Sequence, residues 1–260
     1  MTVIVNRLWE IRLVWVTLMI IGVGEADALQ PKILWKKDLK FKVTSIGFAK
    51  GSGDVIASGK NDKLFMLIEK NGETIYQWGP REERTPHEVG ISADGGYFIY
   101  ASSWIQSFKE KMGKEDWDER LHYVRRRGSK ELWSKPFPLN NCTKTILSPD
   151  ARYIAFVGVT AEGCCVELWD SAGKKLWIRD SPGIESFEFS PDSKFLVADW
   201  GGVVVLIDLA GKLIFKEYGG HVVTSVANDA SYIATFQGSS DIGVRLLDKR
   251  GNTILKGGPD

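Results

Sequence analysis

The stretch ELWDSAGKKLW, residues 167–177, carries an apolar run into a tight turn and out again. Val166 and Leu168 alternate with polar neighbours, Asp170 to Gly173 form the turn, and the chain returns through Leu176 to Trp177. Alternation at period two, broken by a Gly-containing polar turn, is the pattern of a β-hairpin. The pattern is reused. Gly173 aligns with Gly72 in MLIEKNGETIY, Gly128 in YVRRRGSKELW, Gly211 in VLIDLAGKLIF and Gly251 in RLLDKRGNTIL. A large residue follows each glycine by four or five positions: Tyr76, Trp133, Trp177, Phe215 and Leu255. The glycines are 56, 45, 38 and 40 residues apart.

A second element recurs in phase. SADGGYFIYA, SPDARYIAF, SPDSKFLVA and NDASYIATF each place an aspartate three residues before an aromatic that opens an apolar run. The pairs are Asp94/Tyr97, Asp150/Tyr153, Asp192/Phe195 and Asp229/Tyr232, with AKGSGDVIAS around Gly51 as a degenerate fifth copy. Each unit therefore reads as an inner strand, an Asp turn, a second strand, a short link, a third strand, a Gly turn and an outer strand. Four antiparallel strands in about 40 residues, repeated in series, are the blade of a β-propeller. One blade cannot bury both faces of its sheet, so burial requires neighbours. No ten-residue window of helical period occurs outside the N-terminal run and one insertion, which argues against a two-domain α/β chain. The fold expected is all-β, a β-propeller with five recognisable four-stranded units. KILWKKDL, residues 32–39, adds an N-terminal outer strand. Two counts stay open: five blades with an extra strand, or a sixth blade without its inner strands.

These motifs resemble known propeller repeats. ELWDSAGKKLW resembles the repeat of PQQ-type quinoproteins, in which the Gly-Lys-x-Leu-Trp segment docks blade on blade. SPDARYIAF is similar to TolB-like repeats. The last unit resembles a WD repeat, with Gly220-His221, Asp241 and Leu247-Asp248 at the signature positions, and Trp169-Asp170 supplies the dipeptide in the third unit. The resemblances span about residues 31–260 and select no one family.

The 34 basic and 33 acidic residues nearly cancel, which argues against a nucleic-acid partner. At the N-terminus, Arg7 and Arg12 precede the apolar run Leu13–Val23 and a small-x-small site at Ala26–Ala28. This reads as a signal peptide over residues 1–28, placing residues 29–260 in the secreted or cell-envelope compartment. An uncleaved membrane anchor is the competing reading. It is opposed by length, because 11 apolar residues span only about 16 Å as a helix.

Three cysteines, an odd number, do not form a disulfide framework. Cys164 and Cys165 are adjacent, and either buried thiols or a vicinal disulfide fits the pattern. In PQQ-dependent alcohol dehydrogenases such a disulfide packs on the quinone, so that resemblance implies an oxidoreductase as one alternative. Its Ca²⁺ cluster and catalytic aspartate have no counterpart here, and no cofactor, metal ligand or catalytic residue is assigned. His87, His122 and His221 share no metal spacing. His87, Glu88, Glu185 and Thr224 stand at inner-strand starts, the expected mouth of a propeller channel. A glycan-binding or glycan-cleaving ring is the other alternative, with Glu88 and Glu185 as the carboxylate pair to test.

The insertion at about 103–120, SWIQSFKEKMGKEDWDER, carries nine charges together with Trp104, Phe108, Met112 and Trp117. The first three of those apolar residues fall on one face of a short helix. Aromatics raised off a rigid scaffold suit a partner contact. The function expected is thus a non-catalytic, exported scaffold that binds protein or a small ligand at its rim. Membrane contact is expected only if the N-terminus is uncleaved, and a second copy or partner chain could close the ring.

Overall fold

The computed structural model describes residues 2–5, 15–20, 32–39, 42–59, 64–78, 84–104, 120–136, 140–160, 163–184, 186–218, 221–237 and 243–257. The chain divides into two compact units, residues 1–138 and 139–260.

The first unit opens with β1 (Thr2–Val5), β2 (Trp15–Ile20) and β3 (Lys32–Asp38), a three-stranded antiparallel sheet. The apolar run read as a leader thus supplies β2, and the N-terminal outer strand is the edge of a sheet rather than a lone strand. Next come β4 (Ser45–Phe48), β5 (Val55–Gly59), β6 (Leu64–Ile68) and β7 (Thr74–Trp78) in one four-stranded sheet. The last sheet of the unit holds β8 (Arg84–Ile91), β9 (Tyr97–Trp104), β10 (Arg120–Arg125) and β11 (Lys130–Pro136). The insertion over residues 105–119 lies outside the described residues.

The second unit holds three four-stranded sheets. They are β12 (Asn140–Leu147), β13 (Tyr153–Thr160), β14 (Gly163–Asp170) and β15 (Lys175–Ser181); β16 (Ser186–Phe189), β17 (Phe195–Asp199), β18 (Val203–Asp208) and β19 (Leu213–Tyr218); and β20 (His221–Val226), β21 (Tyr232–Gln237), β22 (Gly243–Asp248) and β23 (Thr253–Gly257). All five four-stranded sheets are antiparallel meanders in chain order, as the repeat requires.

Burial follows position in the sheet. Every residue of β5 is buried, because both faces of a middle strand meet a neighbouring sheet. Val55 and Ala57 pack toward Trp35 of β3, while Ile56 joins Phe65, Leu67, Val89, Phe98 and Tyr100 on the other side. In the second unit Val157, Val166 and Leu168 pack on Phe187 and Phe189, and Val197, Val204 and Leu206 pack on Val226, Ile233 and Leu247. The outer strand β23 is exposed along its whole length.

Both turn types have a chemical cause. In the Asp turn, Ser92, Ser148 and Ser190 donate their hydroxyls to Asp94, Asp150 and Asp192 at 2.6, 2.7 and 2.6 Å. The same aspartates accept the amide two residues on, from Gly96, Arg152 and Lys194. The residue after the aspartate sits in the left-handed region, and this is Gly95, Ala151, Ser193 or Ala230, at φ of 70, 62, 61 and 56°. Only the first is a glycine. A non-glycine residue is strained there, so Ala151→Gly is expected to stabilise the protein by about 0.5–1 kcal/mol, read as a rise in the urea midpoint.

In the Gly turn, the Gly173, Gly211 and Gly251 amides donate to the carbonyls of Asp170, Asp208 and Asp248, with a one-residue register shift beside each. Trp177 of β15 lies on Gly211 of the next sheet, where a Cβ would come within 3.1 Å of the ring. Its indole N–H donates to the Leu209 carbonyl at 3.0 Å, and Arg179 Nε donates to the Gly211 carbonyl at 2.8 Å. The first unit repeats this dock. Trp35 lies on Gly72, its N–H donates to Lys70 O at 2.8 Å, and Lys37 Nζ donates to Gly72 O at 2.8 Å. Phe215 takes the same place over Gly251 without the N–H.

Candidate functional site

The β9–β10 register sets His122 beside Tyr100, with Ser102 two residues farther along the same face. Tyr100 and His122 stack with centroids 4.2 Å apart. Ser102 Oγ lies 2.9 Å from His122 Nε2, and His122 Nδ1 lies 2.8 Å from Glu131 Oε2 on β11. With Nδ1–H donating to the carboxylate, Nε2 accepts from the serine hydroxyl. Arg120 adds a further tie, donating from Nε to Ser134 Oγ at 2.9 Å and from Nη2 to Ser134 O at 3.1 Å.

The Ser102–His122–Glu131 order is that of an acyl-transfer triad. Its placement opposes that chemistry. Ser102 is fully buried on a strand, so its hydroxyl cannot reach a substrate carbonyl, and the relay instead ties three strands together. Ser102 and Arg120 also stand at the stems of the insertion, Ser102 just before it and Arg120 at its last residue, where β10 begins. The network therefore fixes both ends of the segment expected to carry the partner contact. Neither Ser102 nor Glu131 is conspicuous in the sequence, because the contact depends on register between strands separated by the 15 residues 105–119. The available signal was period two: Tyr100, Ser102 and His122 share a face once β9 and β10 pair.

Glu131 is held below the ordinary carboxylate range by its hydrogen bond to His122, against a smaller opposing effect of burial. A folded-state pKa below the unfolded one contributes stability above the unfolded value. That stability is lost as pH falls through the folded value. Glu131→Gln should therefore flatten the acid limb of the stability curve below about pH 4.5, measured by urea unfolding at stepped pH.

The other sequence-derived candidates are placed as follows. Trp104 is the last residue of β9, while Phe108, Met112 and Trp117 lie outside the described residues. His87 on β8 is buried, and Glu88 beside it accepts the Ser45 hydroxyl at 3.2 Å. Thr224 lies on β20; Glu185 is outside the described residues, and the Glu88/Glu185 pair with it. Cys164 and Cys165 are successive residues of β14, facing opposite sides of the sheet as free thiols. Strand geometry opposes a bridge between them. Burial, helped by the Glu167 and Asp180 carboxylates, pushes the Cys165 thiol up to about 11. Among the described residues no group of three His, Cys, Asp or Glu side chains is placed to hold a metal, and no helix is long and apolar enough to cross a membrane.

One surface was missed altogether. On the last sheet, Ile233, Thr235 and Leu247 face the preceding sheet and are fully buried. The opposite face presents Tyr232 and Phe236 of β21, Val244 of β22 and Leu255 of β23, exposed by 50, 39, 53 and 63%. Phe236 is directly opposite Val244, and Leu246 joins Ala234 to Leu255, so the apolar residues are contiguous across three strands. The corresponding face of β16–β19 is covered by β20–β23.

No protein-family model matches the chain, and no curated protein sequence matches it. Among solved structures it is similar to a chain of a nidogen/laminin complex, with a TM-score of 0.60 and 10% identity, over 95% of this chain and 90% of that one. The fold is a β-propeller. That likeness carries the architecture, and the four-stranded sheets described above are its blades.

Proposed function

We propose that this propeller is an exported binding scaffold whose partner is another protein. The observation that carries the reading is the contiguous apolar face of the last blade, Tyr232, Phe236, Val244 and Leu255. Contiguous exposed apolar surface of this kind marks interaction sites, and a flat sheet face suits another folded protein better than a small molecule. The clamped stems of the insertion support a second contact through Trp104, Phe108, Met112 and Trp117. The matched neighbour is itself a chain in a protein complex, which agrees with the same use of the fold. Export rests on the N-terminal pattern of Arg7, Arg12 and the apolar run before Ala28.

A photo-crosslinking amino acid placed at Phe236, compared with one at exposed Lys212, tests the reading in the producing cells. A discrete protein adduct at position 236, absent at 212 and lost in the Tyr232→Asp/Val244→Asp background, is the expected result. If 236 yields no more adduct than 212, and positions 108 and 117 yield none, the scaffold reading is overturned. N-terminal sequencing of the purified protein checks export, which requires the mature chain to begin near Leu29.

A further inference from the structure

We propose that a cavity between the two four-stranded blades of the first unit binds an apolar zwitterion of the amino-acid type. The cavity has a volume of about 440 Å³, inside the size range of ligand pockets. This inference is independent of the protein-binding reading above, since it uses different residues and a different class of ligand.

The floor is apolar. Leu67 of β6 and Phe98 of β9 are 1% exposed, and Ile75 of β7 closes one side. The rim carries two opposite charges from two turns. Asp94, in the β8–β9 turn, uses Oδ1 for the Ser92 hydroxyl at 2.6 Å and the Gly96 amide at 2.8 Å. Those bonds hold the carboxyl below its ordinary range, the serine bond being the larger effect. Its Oδ2 accepts no hydrogen bond among the described residues. Gly96 leaves that oxygen open, because a Cβ there would come within 2.9 Å of it.

The cation is Arg127, in the β10–β11 turn. Its neighbour Arg126 is already committed, donating to Asp54 at 2.5 Å and Glu69 at 2.6 Å. Arg127 makes no hydrogen bond or ion pair among the described residues, although it lines the same cavity. The two rim charges do not bridge each other. A ligand that meets both must carry an ammonium toward Asp94, a carboxylate toward Arg127 and an apolar body over Leu67 and Phe98. A charge-assisted hydrogen bond at each end supplies affinity and orientation, and the buried floor accepts the side chain.

Isothermal titration of the full chain with L-phenylalanine and L-leucine tests the proposal. Saturable binding in the millimolar range is expected for an open site of this size. N-acetyl-L-phenylalanine lacks the ammonium and L-phenylalaninamide lacks the carboxylate, and each should bind about tenfold more weakly, the loss of one charge-assisted bond. Arg127→Gln should weaken L-phenylalanine by a similar factor with an unchanged melting curve, because Arg127 is exposed and has no partner to lose among the described residues. No saturable heat by about 20 mM of either amino acid, a concentration that would reveal any binding stronger than about 2–3 kcal/mol, overturns the proposal. Equal binding of the two blocked derivatives, or of the variant, overturns it as well.

Discussion

Arg126→Ala is expected to cost about 3–5 kcal/mol of stability, the range for removing one partner of a buried ion pair. Asp54 has a side chain only 5% exposed, at the β4–β5 turn, and the Arg126 guanidinium reaches it from the β10–β11 turn of the next blade. Glu69 takes the other guanidinium nitrogen at 2.6 Å, so one arginine joins two turns of the first four-stranded blade to one turn of the second. Removing it leaves the Asp54 carboxylate, among the described residues, with the Ser52 hydroxyl at 2.8 Å and the Lys70 amide at 3.3 Å as its remaining donors. Gly95 sits against the same group, where a Cβ would lie 2.5 Å from Asp54 Oδ2, so the turn cannot move in to replace the lost arginine. The urea midpoint should fall sharply for Arg126→Ala. It should fall much less for the Arg126→Ala/Asp54→Asn double variant, because the unpaired charge is then gone. Equal losses in the two variants would show that the arginine acts by packing alone.

The second large effect is at the blade dock. Trp177→Ala should cost about 3–5 kcal/mol, since it removes a large aromatic from between two blades and leaves the face of Gly211 uncovered. Trp177→Phe should cost only about 1 kcal/mol, the net worth of the lost hydrogen bond to Leu209 O. The molecule contains its own precedent, because Phe215 occupies the same position over Gly251 with no N–H to donate. Packing is therefore the larger part of the dock and the indole bond the smaller. The reciprocal change, Gly251→Ala, would set a Cβ 2.8 Å from the Phe215 ring at a φ of 86°. It should lower the thermal midpoint through both clash and left-handed strain. A Trp177→Ala variant that melts within 1–2 °C of the parent would remove the dock from the account of stability.

Read in sequence order, the two turn motifs are local chemistry. Ser92, Asp94 and Gly96 lie within five residues, and Asp170, Gly173 and Lys174 within five more, so their hydrogen bonds are legible wherever the letters occur. The same locality made the strand order of each blade legible, because every blade is an up-and-down meander. The candidate partner contacts were singled out by composition and the candidate channel-mouth residues as expected strand starts. Yet His87 and Glu88 lie inside β8 and Thr224 inside β20, because the strands begin earlier than the alternation suggests.

What lay beyond the sequence were contacts across blades and across inserted chain. Ser102, His122 and Glu131 meet because β9 and β10 keep their register across the 15 residues between them, and no spacing rule reports that. Arg126 finds Asp54 at a separation of 72 residues, through the packing of one blade on the next. The unequal fate of two similar faces was equally hidden. Leu206 and Val244 both read as apolar residues on an alternating third strand, yet Leu206 is fully buried and Val244 is half exposed. Alternation along a strand says which residues share a face of a sheet; only the packing of whole sheets decides whether that face meets another blade or water.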